Sequence, residues 1–97
     1  VTSRDVKKGK PHPEPYIRAM QLAGVSPSAS IAIENAPLGV TSADAAGAFT
    51  VGVVTGPVPR EELERAGAAI VFDSMPQCAD LFPYLLYTMV TFINQDI

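Results

Sequence analysis

Segments with apolar residues at helical spacing and short continuous apolar runs follow one another along the chain. This order predicts alternating helices and buried strands. Apolar side chains follow Pro13 at helical spacing and Gly24 can end the segment, so we predict a helix over residues 13–23. Residues 30–34 form a short apolar run that ends in a charged residue, which is typical of a strand covered on both faces. The chain therefore opens with a helix and a buried strand.

The same alternation continues through the next five predicted elements. They are a small-residue helix from Pro37 to Gly47, a strand over 50–54, a short helix from Pro59 to Gly67, a strand over 69–72, and a helix from near Met75 that Asp73 or Ser74 can cap. Alternation of this kind favours an α/β fold in three layers, with a parallel sheet of about three to four strands between helices. Because so few strands leave long unpaired edges, we expect a segment upstream of Val1 to supply more.

The apolar pattern also divides the chain into two parts. We predict a core domain over residues 1–82 and an apolar, helical C-terminal extension over residues 83–97. The apolar run at residues 81–93 is too short to span a bilayer and contains Pro83, so we expect no membrane helix. The extension could pack on the sheet or make a homo-oligomer contact, and its sequence leaves both open.

Composition and charge narrow the classes of function. Of the 97 residues, 47% are hydrophobic and 18% are charged, which is typical of a packed globular domain. A net charge of −3 and a pI near 4.9 argue against nucleic acid as a partner. The single cysteine, Cys78, allows no internal disulfide, so we expect a protein of the reducing cytoplasm. Cys78 itself is expected to be a buried core residue.

One polar loop, residues 34–39, directly follows the first predicted strand. Ligands gather at the carboxyl ends of strands in open parallel sheets, and Glu34 and Asn35 offer oxygen donors there. Such donors suit Mg²⁺, which takes one or two protein ligands and leaves its other positions to water and phosphate. The alternative is that both residues only cap the helix at Pro37, and spacing alone does not decide between them.

A second polar loop precedes the first predicted helix. Lys10 lies between a glycine and a proline that keep it out of a regular helix, and a lysine held at a helix entrance is a good phosphate ligand. The alternative is a solvated lysine in the run of Lys7, Lys8 and Lys10. Each loop is a weak signal by itself.

Together the two loops resemble a known family. The resemblance rests on Lys-Pro-His-Pro-Glu-Pro-Tyr at residues 10–16, on Ile-Glu-Asn-Ala-Pro-Leu-Gly-Val at residues 33–40, and on the small-residue helix that ends at Gly47. These segments are similar to the K-P-x-P and E-D-S-x-x-G motifs of the haloacid dehalogenase superfamily. Within it, the chain resembles the phosphatases and mutases of the β-phosphoglucomutase-like subfamily, over roughly residues 5–82.

The resemblance implies a Rossmann-like core and a phosphoryl-transfer reaction. In this family an N-terminal aspartate attacks phosphorus and forms an aspartyl-phosphate, and a second aspartate two residues later serves as acid and base. By motif match, Lys10 is expected to be catalytic and to neutralise charge on the phosphoryl group and the nucleophile. Glu34 and Asn35 are expected to help hold Mg²⁺.

The chain departs from the family pattern in two respects. Asn35 stands where the family usually has aspartate, so an uncharged oxygen replaces a carboxylate and weaker metal binding is expected. The aspartates of the chain form no D-x-D pair; they are Asp5, Asp44, Asp73, Asp80 and Asp96. The nucleophile motif, the Ser/Thr phosphate-binding motif and the substrate-selecting cap are therefore expected to lie outside this chain.

Other polar residues near the loops have simpler interpretations. His12 could contact a substrate phosphate, although a loop residue beside the site is the favoured interpretation. Thr55 and Gly56 could line the same pocket, but turn formation also explains them. Asp73 is interpreted as a helix cap rather than a metal ligand.

The sequence thus leads to one hypothesis and one alternative. The hypothesis is that the chain is part of a cytoplasmic, Mg²⁺-dependent phosphatase or phosphomutase that acts on a small phosphorylated metabolite, with a sugar phosphate as the expected case. Alone, the 97 residues are expected to be inactive. The alternative is a non-catalytic α/β interaction or oligomerisation module that kept the fold and lost the chemistry.

Overall fold

The computed structural model describes residues 4–81 of the chain, with side chains up to residue 80. The predicted extension over residues 83–97 lies outside the described residues. Within them, no helix combines the length and apolar character needed to cross a membrane.

Helices and strands follow one another in the predicted order. The elements are α1 (Glu14–Ala23), a 3₁₀ turn (Pro27–Ala29), β1 (Ile31–Glu34), α2 (Pro37–Ala45), β2 (Phe49–Val53), α3 (Arg60–Ala66), β3 (Ile70–Phe72) and α4 (Met75–Leu81). Their ends differ from the predicted ends by at most two residues, and the 3₁₀ turn was not predicted. Gly24 and Gly47 follow α1 and α2 with positive φ angles of 71° and 90°, which glycine adopts without strain.

The three strands form one parallel sheet in the order β1-β2-β3. Ile33 pairs with Val51, and Val51 pairs with Ile70, so the strands are in close register. All three therefore end at the same edge of the sheet. The prediction of an α/β fold with a parallel sheet is confirmed.

Side chains of successive strand residues enter two different layers. On one face, Ala32 packs with side chains of α1 and α2, and Val71 packs with Leu63 of α3. On the other face, Ile31 and Ile33 pack with Cys78 of α4. The sheet thus has helices on both sides, which confirms the predicted three layers.

Cys78 is a core residue, as predicted. It is 3% exposed, and burial raises the pKa of its thiol because the apolar surroundings disfavour the thiolate. The described structure gives it a packing role.

Of the two residues predicted as possible caps of α4, one is confirmed and the other is wrong. Ser74, rather than Asp73, caps α4: its Oγ accepts a hydrogen bond from the Gln77 backbone N–H at 3.3 Å. The Asp73 carboxylate instead accepts hydrogen bonds from Arg60 Nη2 at 2.7 Å and Nε at 3.2 Å. This contact spans 13 residues, and an arginine fork satisfies a carboxylate better than one backbone N–H does.

Leu63 provides a test of the core packing. Its side chain is fully buried between α2 and β3, so Leu63→Ala should lower the free energy of unfolding by about 2–5 kcal/mol because it leaves a cavity. Leu22, which is 59% exposed, supplies the matched control, and Leu22→Ala should change that free energy by less than about 0.5 kcal/mol. Chemical denaturation measures both, and equal losses would contradict the assignment of Leu63 to the core.

Candidate active site

Lys10 and Glu34 form a partly buried ion pair at the edge of the sheet where the strands end. Glu34 is the last residue of β1, and its side chain is 1% exposed. The Lys10 side chain is 12% exposed, and its Nζ lies 3.1 Å from Oε1 of Glu34. Lys10 is therefore not the solvated lysine of the alternative interpretation. The structure joins the two loops that the sequence singled out.

The loop that carries Lys10 is held by a hydrogen bond within it and by another to α2. The Lys10–Pro11 peptide bond is cis, and the His12 backbone N–H donates to the Gly9 carbonyl at 3.0 Å. Ser42, fully buried in α2, donates its hydroxyl to the His12 carbonyl oxygen at 2.7 Å. These contacts fix the path of the loop, so the lysine stem enters the site from a defined direction.

Tyr16, which ends the motif segment at residues 10–16, is a further partner of Glu34 and was not among the predicted site residues. Its hydroxyl donates to Oε1 of Glu34 at 2.5 Å. Burial of the phenol, followed by the charge of Glu34 and this hydrogen bond, raises the pKa of Tyr16 far above its usual range. The phenol therefore stays protonated and donates. One available signal was that a buried tyrosine hydroxyl usually needs a polar partner.

Gly39, in the first turn of α2, leaves the space that the Glu34 carboxylate occupies. A Cβ at this position would lie 2.6 Å from Oε1 of Glu34 and closer still to Oε2 and Cδ. Any side chain would displace the carboxylate. The spacing of five residues between Glu34 and Gly39 thus has a steric cause.

Neither Glu34 nor Asn35 caps α2, which excludes the capping alternative. The N-cap residue is Ala36, and α2 has no side-chain capping hydrogen bond. Asn35 Nδ2 donates instead to Thr55 Oγ1 at 3.0 Å, which links the end of β1 to the segment after β2. Thr55 therefore does more than shape a turn.

A cleft of about 420 Å³ opens beside these residues. Its lining consists of Lys10, Glu34, Asn35, Ala36, Leu38, Gly39, Thr55, Gly56, Pro57 and Val58. The lining joins the ends of β1 and β2 to the segment of residues 4–13 before α1, called the lysine loop here. It includes three of the four candidate site residues, together with Thr55 and Gly56.

His12, the fourth candidate, lies outside this lining. Its side chain is exposed, and Nδ1 accepts a hydrogen bond from the Glu14 backbone N–H at 3.0 Å. Since α1 begins at Glu14, this contact satisfies a free N–H at the start of the helix. The geometry gives His12 a local role in the loop.

The donors of the cleft fit a magnesium ion by their chemistry. Within residues 4–80, no group of three or more acidic, histidine or cysteine side chains could hold a metal. The carboxylate of Glu34 and the amide oxygen of Asn35 are two hard oxygen donors in one cleft, and Mg²⁺ commonly takes only one or two ligands from the protein. Oε1 of Glu34 already accepts two hydrogen bonds, from Lys10 and Tyr16.

Gly39 allows a direct test of this geometry. Gly39→Ala should lower the free energy of unfolding by about 1–3 kcal/mol, because the new methyl group collides with the buried carboxylate. Gly56→Ala is the control in the same cleft: its Cβ would meet no atom within 4 Å, so a change below about 0.5 kcal/mol is expected. Chemical denaturation compares the two variants. If both are equally stable, Gly39 does not make room for Glu34.

Comparison with known proteins identifies relatives of this chain. Residues 1–53 match the family model described as haloacid dehalogenase-like hydrolase. Validoxylamine A 7'-phosphate phosphatase of Streptomyces hygroscopicus subsp. limoneus is 46% identical over 55 residues, which cover 57% of this chain and 26% of the relative. Hexitol phosphatase A of Escherichia coli K12 is 43% identical over 53 residues, which cover 55% of this chain and 24% of the relative. The chain thus spans about a quarter of the length of these curated relatives.

Solved structures agree with the sequence matches. A Bacteroides vulgatus protein assigned as a β-phosphoglucomutase superposes with a TM-score of 0.85 at 45% identity, covering 91% of this chain and 36% of that protein. The resemblance found in the two motif loops is confirmed, and with it the Rossmann-like α/β fold. The chain belongs to the haloacid dehalogenase-like hydrolase family.

Proposed function

We propose that this chain supplies part of the active site of a Mg²⁺-dependent phosphatase or phosphomutase that acts on a small phosphorylated metabolite. One observation carries the proposal: Lys10 and Glu34, 24 residues apart in the chain, meet 3.1 Å apart in a cleft at the carboxyl edge of the sheet. The names of the relatives support it, since two are phosphatases and one is assigned as a β-phosphoglucomutase.

Lys10 provides the positive charge that phosphoryl transfer requires. Charge builds up on the oxygens of the transferring group, and a fixed cation in a partly buried cleft stabilises it more than a cation in water does. The ion pair with Glu34 holds the ammonium group in place before substrate arrives. Lys10 is therefore the catalytic residue that we assign to this chain.

Glu34 and Asn35 would hold the metal in this proposal. Bound there, Mg²⁺ would act as a Lewis acid on a phosphoryl oxygen and orient the phosphate. The Thr55 hydroxyl accepts from the amide nitrogen of Asn35, which fixes the side chain so that the other end of the amide carries the oxygen donor. Asn35 adds no negative charge, so the metal depends on Glu34 and on carboxylates from elsewhere.

The nucleophile comes from an aspartate outside this chain in our proposal. Among residues 4–80, no aspartate lines the cleft. The aspartate attacks phosphorus, the bond to the leaving oxygen breaks, and an aspartyl-phosphate forms. Transfer of the phosphoryl group to water gives a phosphatase, and transfer to a second sugar hydroxyl gives a mutase.

We propose a sugar phosphate or a related polyol phosphate as substrate. Hexitol phosphatase A and the β-phosphoglucomutase are named for substrates of this class. Their common chemistry is a phosphate ester on a small polyhydroxyl compound, which matches a cleft with one lysine and two oxygen donors.

Replacement of Lys10 tests the central assignment. In the protein that contains this chain together with an upstream D-x-D motif, Lys10→Ala should lower kcat by about 10²- to 10³-fold, because a preorganised cation is lost. Lys8→Ala removes an exposed lysine from the same loop and should leave kcat nearly unchanged. Steady-state kinetics on a panel of sugar phosphates measures both variants, with unfolding curves as a check on folding.

Two outcomes would contradict the proposal. Lys10→Ala could match Lys8→Ala in turnover, which would remove Lys10 from the reaction. A verified 97-residue chain could hydrolyse phosphate esters rapidly in the presence of Mg²⁺, which would show that no outside aspartate is needed.

Asn35 gives a separate prediction for the metal. Asn35→Asp adds one negative charge to the proposed site, and the Thr55 hydroxyl can donate to the new carboxylate in place of accepting from the amide. The half-saturating Mg²⁺ concentration should fall about tenfold, which corresponds to about 1.4 kcal/mol of added attraction. Asn35→Ala, the control without an oxygen donor, should raise it. An unchanged Mg²⁺ requirement in both variants would exclude Asn35 as a ligand.

A further inference from the structure

Two donors from different parts of the chain share a single oxygen of Glu34. Lys10 Nζ lies 3.1 Å from Oε1 and comes from the loop before α1, whereas the Tyr16 hydroxyl lies 2.5 Å from Oε1 and comes from α1 itself. The Glu34 side chain is 1% exposed, so water contributes little to holding this carboxylate. Its orientation depends on its protein contacts.

The two donors differ in stiffness. The ammonium group of a lysine is at the end of a flexible four-carbon chain, and Lys10 lines the open cleft. Tyr16 has two side-chain torsions, and its ring packs in the core with Met20, Ala32 and Ala43. Tyr16 is therefore the rigid partner of the pair, and Glu34 is the link between it and the lysine.

Gly39 lies against the other end of the carboxylate. The first turn of α2 lies so close to Oε2 and Cδ of Glu34 that no Cβ fits between them. With Tyr16 and Lys10 on Oε1, the carboxylate is held from three directions, by three elements. Loss of the phenol hydroxyl would remove the rigid donor of the two that share Oε1.

We propose that Tyr16 is a positioning residue for phosphoryl transfer: its hydroxyl fixes the Glu34 carboxylate and, through it, the Lys10 ammonium group. This inference rests on the proposed function, because it assigns Tyr16 to the site that Lys10 and Glu34 form there. The phenol itself lines no part of the cleft and acts through Glu34.

Tyr16→Phe tests the proposal, since it removes the hydroxyl and keeps the ring in the core. In the protein with its upstream D-x-D motif, kcat should fall about tenfold and the half-saturating Mg²⁺ concentration should rise several-fold, as when a group that orients a metal ligand is lost. KM for the sugar phosphate should change by less than about threefold, because the hydroxyl does not contact substrate. Calorimetric titration with Mg²⁺ alone gives a second readout that does not depend on turnover.

Thr50→Val is the matched control. It also removes a buried hydroxyl, one that donates to the Ala48 carbonyl and lies outside the cleft lining. At equal folded fraction, Thr50→Val should keep the wild-type kcat and Mg²⁺ affinity. If Tyr16→Phe matches Thr50→Val in both, Tyr16 serves only to pack the core and the inference is overturned.

The same measurements separate this inference from the proposed function. Wild-type protein that turns over no phosphate ester would contradict the proposed function, and the Mg²⁺ titration would still compare Tyr16→Phe with its control. Wild-type protein that neither turns over substrate nor binds Mg²⁺ would overturn both. Active wild-type protein with an unaffected Tyr16→Phe variant would overturn the inference alone.

Discussion

The described structure depends on a buried carboxylate that needs partners. Glu34 sits at the end of an apolar strand with almost no exposure, where an uncompensated negative charge would cost several kcal/mol. Lys10 supplies the opposite charge and Tyr16 supplies a hydrogen bond. Because both contact the same oxygen of Glu34, the lysine loop and α1 must both lie beside the end of β1. The ion pair thus links the placement of these elements to the charges in the cleft.

Several local features follow from this requirement. The lysine loop must hold a fixed path, which the Ser42 hydroxyl secures by bonding the His12 carbonyl. Helix α2 must approach the carboxylate closely, which a glycine at position 39 permits. Even the departure at Asn35 is accommodated, since Thr55 gives its amide a partner at the neighbouring strand end. Packing and site geometry therefore constrain the same residues.

Much of the fold could be predicted because apolar runs, prolines and glycines act locally. The strand that ends at Glu34 and the turn at Gly24 are examples. Contacts between residues far apart in the chain were harder to predict. Asp73 accepts from Arg60 and does not cap the adjacent helix, and Tyr16 donates to Glu34, 18 residues away. Motif resemblance brought Lys10 and Glu34 into one hypothesis, but the resemblance did not point to the phenol between α1 and the carboxylate. The split of the chain at residue 82 stays a prediction.

The topology around the cleft has a consequence for folding kinetics. Its lining residues come from the lysine loop, from the ends of β1 and β2, and from the start of α2, and these elements follow one another with only α1 and a short turn between them. Contacts between neighbouring elements require only short loop closures, so they form early in the search for the native state. We expect the residues around the Lys10–Glu34 pair to assemble as one cooperative unit. Its cation and carboxylate would then be in place before contacts between elements further apart in the chain form.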